Sequence, residues 1–130
     1  MRMKLIKKGI GILGLVFIMM LPSISAFAAT KDFTFDMTHQ LTIGTYKMTK
    51  STATATIYMK SWGGDTFFTI HVYDEDDFWA SYVGRMEFEK SSAGSPYTDS
   101  ISLTKGRHYD FEIWKNMNGK RIQGSGSLSY

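Results

Sequence analysis

Apolar and polar residues alternate with a period of two through most of the chain after Lys31, and this pattern restricts the fold to β-structure. From Ala53 to Met59, for example, small or apolar residues alternate with threonines and a tyrosine. Successive side chains of a strand point to opposite faces, whereas a helix needs an apolar repeat of about 3.6 residues. The alternation therefore predicts strands with one face in a core and the other in water.

Turn-forming residues divide this alternation into seven or eight short strands. Gly44 coincides with a change of phase and predicts a β-bulge or a bend. Asn118-Gly119 predicts a two-residue hairpin before a last strand that starts at Ile122. The even-numbered positions from Phe78 to Phe88 are mostly apolar and would lie on one face of a strand, so residues 78–88 predict a single long strand. Short strands at regular spacing without a helix favour a sandwich or a barrel. We predict an all-β fold, a single antiparallel Greek-key β-sandwich over residues 29–130.

The first 28 residues have the features of a secretory signal peptide. A basic start containing Arg2 and Lys4 precedes an apolar run from Ile10 to Leu21, and Ala26 and Ala28 provide the small residues that a signal peptidase needs. A retained membrane anchor is the alternative, but a spanning helix needs roughly 20 apolar residues and this run is shorter. We expect cleavage after Ala28 and a secreted, extracellular protein, which fits a bacterial source.

Removal of the leader changes the charge of the protein. Four of the 15 basic residues and none of the 12 acidic residues lie before Ala28, so the remainder has 11 basic and 12 acidic residues and a net charge of −1. A nearly neutral domain offers no electrostatic footprint for nucleic acid or an anionic membrane, and neither is expected as a partner. The chain has no cysteine, which excludes disulfides, thiolate metal sites and a cysteine nucleophile.

One motif resembles a known family. Leu103, Gly106 and Tyr109 have the spacing L-x-x-G-x-x-Y, followed by the alternating Phe111 and Ile113. This resembles the tyrosine corner of fibronectin type III and other immunoglobulin-like β-sandwiches. The resemblance implies that the chain crosses between two sheets here and that the tyrosine hydroxyl bonds to the backbone of the crossover. It implies no particular function.

Polar residues give few signs of chemistry. Asp74, Asp76 and Asp77 belong to an acidic run that could bind calcium, but the run lacks the spacing of an EF-hand loop, and a solvated loop is the simpler interpretation. Asp65 and Asp99 could add ligands only if their loops share one end of the sandwich. The three histidines are about 30 residues apart, unlike zinc ligands on one strand or helix. No serine lies in a G-x-S-x-G elbow, and Glu87 and Glu89 fit a salt-linked surface better than a glycosidase pair. We therefore expect no catalytic residues, no enzyme and no cofactor.

Aromatic residues are the best candidates for binding. Trp62, Trp79, Trp114 and Tyr73 lie at loop ends or on the parity opposite to the predicted core. Exposed flat rings can stack on sugars or anchor a protein contact, while the alternative is that they plug the ends of the sandwich. A stacking platform requires at least two exposed, coplanar indoles.

Three functions remain open at this point. The first is a secreted, non-enzymatic binding module for a cell-envelope glycan or an extracellular protein. The second is a secreted antagonist, such as a bacteriocin-like toxin or an enzyme inhibitor. The third is a structural or matrix protein that self-associates through a threonine-rich edge at residues 51–60. We prefer the first, because it requires only a stable sandwich with spare aromatic residues.

Overall fold

A computed structural model describes residues 28–130, and the first 27 residues of the predicted leader lie outside it. The described residues form eight strands. Their bounds are β1 Thr30–Met37, β2 Gln40–Lys47, β3 Thr52–Ser61, β4 Phe67–Asp74, β5 Ser81–Glu89, β6 Tyr97–Ser102, β7 His108–Trp114 and β8 Ile122–Ser129. No helix in residues 28–130 has the length and apolar character to cross a bilayer.

The strands form two four-stranded antiparallel sheets, in the orders β1-β8-β3-β6 and β2-β7-β4-β5. Strand pairs β1–β8, β2–β7, β3–β6 and β4–β5 are nested one inside the next, as in a long hairpin that has been rolled up. This is the order of a jelly roll, a sandwich of two Greek keys. The predicted all-β antiparallel sandwich is confirmed. The immunoglobulin-like family is not, because those domains distribute their strands as ABED and CFG.

The core lies between the sheets and contains the inward residues of the alternating strands. Ile57, Ile70, Val72, Phe111 and Ile113 have no accessible surface. Each side chain of this kind contributes about 1.5–3 kcal/mol when it leaves water. The period-two pattern that predicts the strands is therefore also the pattern that stabilises the sandwich.

Strand β8 depends on two glycines. A Cβ atom at Gly126 would lie 2.5 Å from the ring of Phe33, and one at Gly124 would lie 2.5 Å from the Tyr58 carbonyl and 2.7 Å from the ring of Phe35. The phenylalanine rings of β1 thus occupy the space that side chains on β8 would need. β8 therefore has no side chains at these two positions, and the phenylalanine rings fill that part of the core.

The register shifts in three strand pairs, one of them β3–β8, where the shift lies between Met59 and Ser61. The predicted bulge at Gly44 is present, where the pairing of β2 with β7 shifts between Thr42 and Gly44. A second bulge lies between β4 and β5, where Val72 pairs with Gly84 but Tyr73 pairs with Tyr82. The prediction of one long strand over residues 78–88 is therefore wrong: β5 begins at Ser81, and residues 75–80 form a loop.

The tyrosine corner is present as local geometry. The connection from β6 to β7 crosses from one sheet to the other. Tyr109 is buried, and its hydroxyl oxygen accepts a hydrogen bond from the Thr104 backbone N–H at 3.0 Å. Leu103 packs partly buried against the core. Gly106 has a φ of +90°, which favours glycine at this turn.

Two expectations about connections are wrong. Asn118-Gly119 does not close a hairpin, because β7 and β8 belong to different sheets. Residues 51–60 do not form an edge, because β3 lies between β8 and β6 and pairs with both. The strand that was expected to pair with another molecule thus has a neighbouring strand of its own sheet on each side.

A buried lysine joins the loops at one end of the sandwich. The ammonium of Lys115 lies 2.9 Å from a carboxylate oxygen of Asp65. It also donates to the carbonyls of Thr38 and Asn116 at 3.0 and 2.8 Å and to the side-chain oxygen of Asn118 at 2.8 Å. These groups come from the β1–β2 turn, the β3–β4 loop and the β7–β8 arch. The Asn118 side chain is therefore part of this network.

Candidate functional site

The three tryptophans lie in three separate places and form no common platform. Trp62 is only 9% exposed and packs between Phe68 and Tyr97, with ring centroids at 5.7 and 5.4 Å. Trp62 thus follows the alternative arrangement of these aromatic residues, in which the ring closes one end of the core. A stacking site built from several coplanar indoles is therefore absent from the described residues.

Trp114 and Tyr73 lie on the outer face of the β2-β7-β4-β5 sheet, together with His71. The His71 ring stacks on Trp114 at a centroid distance of 5.1 Å and an angle of 15°. His39 meets the same indole edge-on at 5.4 Å. Tyr73 packs edge-on against Tyr82 at 5.7 Å. Because these rings pack against one another, Trp114, His71 and Tyr73 are half-buried.

A shallow cavity of about 340 Å³ lies beside Trp114 on this face, between Phe67, Arg85 and Met117. The indole N–H of Trp114 is buried and has no hydrogen-bond partner among the described residues. Burial is also the main cause that lowers the pKa of His71 below its usual value, and the nearby Arg85 guanidinium adds to the effect. His71 is therefore largely a neutral ring near pH 7.

Asp110 and Glu112 point outward from β7 on the same face. Burial raises the pKa of Asp110 to about 7, and its hydrogen bond with Glu112 and the repulsion between the two carboxylates add to this. Gln40 donates to Glu112 at 2.7 Å. Two like charges on one strand face cannot both ionise cheaply, so the pair holds a proton up to near-neutral pH.

Trp79 occupies a different environment, the tip of the β4–β5 loop. It is 82% exposed, and its neighbour Phe78 is 86% exposed. Their rings pack edge-on at 4.8 Å and form one apolar projection. Large aromatic side chains with this exposure are costly to leave in water, and they are typical anchors of binding surfaces.

Three of the four carboxylates in the acidic run at the base of this loop form bonds within the protein. Arg107 contacts Asp74 through two nitrogens at 2.9 Å each. Asp76 accepts the His108 backbone N–H at 2.7 Å and lies 3.1 Å from the His108 ring nitrogen. Asp77 accepts a hydrogen bond from the Ser81 hydroxyl. The run therefore attaches the loop to the β6–β7 crossover.

These carboxylates point in different directions, which bears on the predicted calcium loop. Within residues 28–130 no three acidic or histidine side chains converge as a metal site would require. Asp65 lies at the other end of the sandwich, bound to Lys115, and Asp99 accepts the Glu87 backbone N–H at 2.8 Å. Neither adds a ligand to Asp74, Asp76 or Asp77.

The surroundings of Asp76 favour its charged form, which fits its bonds to His108. The His108 backbone N–H, and then the His108 ring, lower the pKa of Asp76 below its usual value. Ala80 at the end of the loop has a φ of +48°, a left-handed conformation that alanine rarely adopts. Such a conformation persists only where the surrounding bonds fix the backbone, so the loop is held in one shape.

We call residues 75–80, with Phe78 and Trp79 at the tip, the aromatic loop. Sequence reasoning identified Trp79 but not Phe78, which the expected long strand placed in the core. The acidic run directly before Phe78 was the available signal of a loop. Four adjacent acidic residues do not enter a strand core, and the loop that they mark continues through Phe78.

Comparison with protein-family models and with curated protein sequences gives no match. Solved structures include two similar chains. One is the crystal structure of Aeromonas hydrophila PliG, a periplasmic lysozyme inhibitor of g-type lysozyme, at 14% identity and a TM-score of 0.47 over 78% of this chain and 86% of that one. The other comes from Bacillus endospore appendages, a family of disulfide-linked pili, at 10% identity and a TM-score of 0.42 over 80% and 88%.

Proposed function

We propose that this protein is a secreted, non-enzymatic binding module that docks an extracellular protein through the aromatic loop. The exposure of Phe78 and Trp79 at 86% and 82% is the observation that carries the proposal. Interfaces concentrate their binding energy in a few aromatic anchors that fill pockets on the partner. The projection matches that description, and the function requires neither calcium nor catalytic groups.

The attachment of the loop favours binding over chance exposure. Ordering a mobile loop costs roughly 0.5–1.5 kcal/mol for each flexible side chain that an interface immobilises. Here Asp74 and Asp76 already fix the loop on Arg107 and His108. The two rings therefore hold their position before the partner arrives. Less of the free energy gained by burying them is spent on ordering the loop, so more of it contributes to affinity.

Charge indicates the chemistry of the partner. Glu75 and Asp77 flank the rings and are exposed. Opposite charges across an interface steer encounter and fix orientation. We therefore propose an apolar pocket bordered by lysine or arginine side chains as the partner surface. A basic extracellular enzyme that is blocked by the loop would make this module an inhibitor.

Site-specific photo-crosslinking tests the proposal. A benzophenone amino acid replaces Trp79 in one variant and Met117 in a control. Met117 is also apolar and 78% exposed, but it lies on the β7–β8 arch, away from the loop. Both are mixed with concentrated medium of the producing cells and with a panel of basic extracellular proteins, lysozymes among them.

The proposal predicts one protein adduct from position 79 and none from position 117. Peptide mapping of that adduct should place the crosslink at an apolar site with neighbouring basic residues, and Phe78→Ser should remove it. Equal adducts from the two positions, or no adduct from position 79, would overturn the proposal.

A further inference from the structure

The opposite sheet carries a trough that the aromatic loop does not use. β8 runs between β1 and β3, and its outward residues Ser125 and Ser127 are small. The register places Thr34, Ser125 and Tyr58 in one row across the three strands. Because the strands on either side carry larger side chains, β8 forms the floor of a groove and its neighbours form the walls.

Tyr58 divides the trough into two concavities. One has a volume of about 450 Å³ and is bordered by Asp36, Lys60 and Gln123. The other has a volume of about 530 Å³ and is bordered by Asp32 and Ser127. Both include Tyr58 and Ser125 in their lining, so they lie next to each other along β8. Their volumes fall in the range of small-molecule sites, which is about 300–1,000 Å³.

The ring of Tyr58 is free on this surface. Its side chain is 52% exposed, and no other aromatic ring among residues 28–130 packs against it. Its row neighbours Thr34 and Ser125 are too short to cover it. An exposed tyrosine offers an apolar ring face together with a polar hydroxyl, a combination that suits an amphipathic ring as ligand.

The polar groups of the trough are better suited to bind the hydroxyl groups of a neutral ligand than to bind a charged ligand. Asp32 offers a carboxylate to ligand hydroxyls, and Gln123 offers an amide that already bonds Asp36 but keeps its oxygen and a second N–H. Asp36 is held by Arg121 at 2.6 Å. The two carboxylates are balanced by Lys60 and Arg121, so the trough carries no net charge. Thr34, Ser125 and Ser127 add hydroxyls to the lining, which also includes the apolar residues Phe33, Phe35 and Met59.

We infer that this trough binds a short neutral oligosaccharide that lies along β8 with a sugar ring against Tyr58. The apolar face of the sugar packs on the phenol ring, and its hydroxyls bond to Asp32 and Gln123. The inference is independent of the proposed function, since the trough and the aromatic loop lie on different sheets.

Nuclear magnetic resonance titration tests the inference on protein that begins at Ala29, which contains all eight strands. The probes are cellotriose, xylotriose and triacetylchitotriose. At least one probe should shift the backbone amides of residues 32–36, 56–60 and 123–127, with a Kd of about 1 mM or lower. Shifts confined to other regions, or no shifts with any probe at about ten times that concentration, would overturn it.

Matched variants separate binding from folding. Tyr58→Ala should weaken binding at least about tenfold, and Tyr58→Phe should retain it because the ring remains. Ser125→Tyr fills the trough and should abolish binding, whereas Ser102→Tyr, on the same sheet outside the lining, should not. Unchanged binding by folded Ser125→Tyr would also overturn the inference. Phe78→Ser should bind the sugar normally, so the proposals for the trough and for the aromatic loop can be refuted independently.

Discussion

Replacement of Lys115 by methionine tests the buried network that joins three loops of the sandwich. The Lys115 side chain has no accessible surface, and its ammonium bonds Asp65, two backbone carbonyls and the side chain of Asn118. Methionine retains most of the volume but removes the charge and all the donors. Asp65, whose side chain is only 11% exposed, is left without its cation.

The expected cost is about 3 kcal/mol. Breaking a buried ion pair on one side costs about 3–5 kcal/mol, and the lower end applies because Asp65 keeps its bonds to the Thr66 N–H and to Asn118. For a domain of this size each kcal/mol lowers the melting temperature by about 4–8 °C. Lys115→Met should therefore lower it by roughly 15 °C.

Chemical denaturation and thermal melting followed by circular dichroism measure this effect. Lys120→Met is the matched control, because Lys120 lies in the same arch but is exposed and bonds only the Gly64 carbonyl, at 3.2 Å. It should cost less than about 0.5 kcal/mol. Adding Asp65→Asn to Lys115→Met should recover part of the loss, since it removes the stranded charge. Equal stability of the two lysine variants would refute the account of this network.

Three further outcomes are expected. Gly126→Ala should destabilise the fold by about 1–3 kcal/mol in denaturation, because the new Cβ meets the ring of Phe33; a neutral effect would contradict the close packing of β8. Tyr109→Phe should cost about 1 kcal/mol through loss of the bond from Thr104, and an unchanged midpoint would show that the corner bond contributes nothing. The raised pKa of Asp110, about 7 against about 4 in an unfolded chain, means that the folded state binds the extra proton, so its contribution is present at pH 4 and is lost as pH rises to 7. The loss should be about 1 kcal/mol after solvent screening, and Asp110→Asn should abolish this slope in stability measured against pH.

Local patterns in the sequence predicted the parts of the fold that depend on local chemistry. Alternation predicted the strands because burial on one face requires it, and Gly44 predicted a bulge because few other residues adopt its backbone conformation. The resemblance of Leu103, Gly106 and Tyr109 to a tyrosine corner implied a crossover and a hydrogen bond that are both present.

Long-range pairing was not predictable in this way. Asn118-Gly119 has the local chemistry of a hairpin, but the strands on either side of it pair with other strands, and Lys115 recruits the Asn118 side chain. Phe78 was placed in the core by the parity of an expected strand, but residues 75–80 form a loop and the bulge opposite Val72 changes the phase of β5 itself. Trp62 is buried because the end of the sandwich closes around it. The alternation of apolar and polar residues indicates the faces of strands but not which residues close the ends of a sandwich.

The central claim is that Phe78 and Trp79 anchor a protein partner. Its most direct test is the affinity of the partner identified by crosslinking for three purified proteins, namely wild type, Phe78→Ser/Trp79→Ser and Met117→Ser. Removal of two aromatic anchors should cost at least about 3 kcal/mol, a loss in affinity of more than a hundredfold, while Met117→Ser should stay within about threefold of wild type. If the double variant binds as tightly as wild type, the aromatic loop is not the docking site.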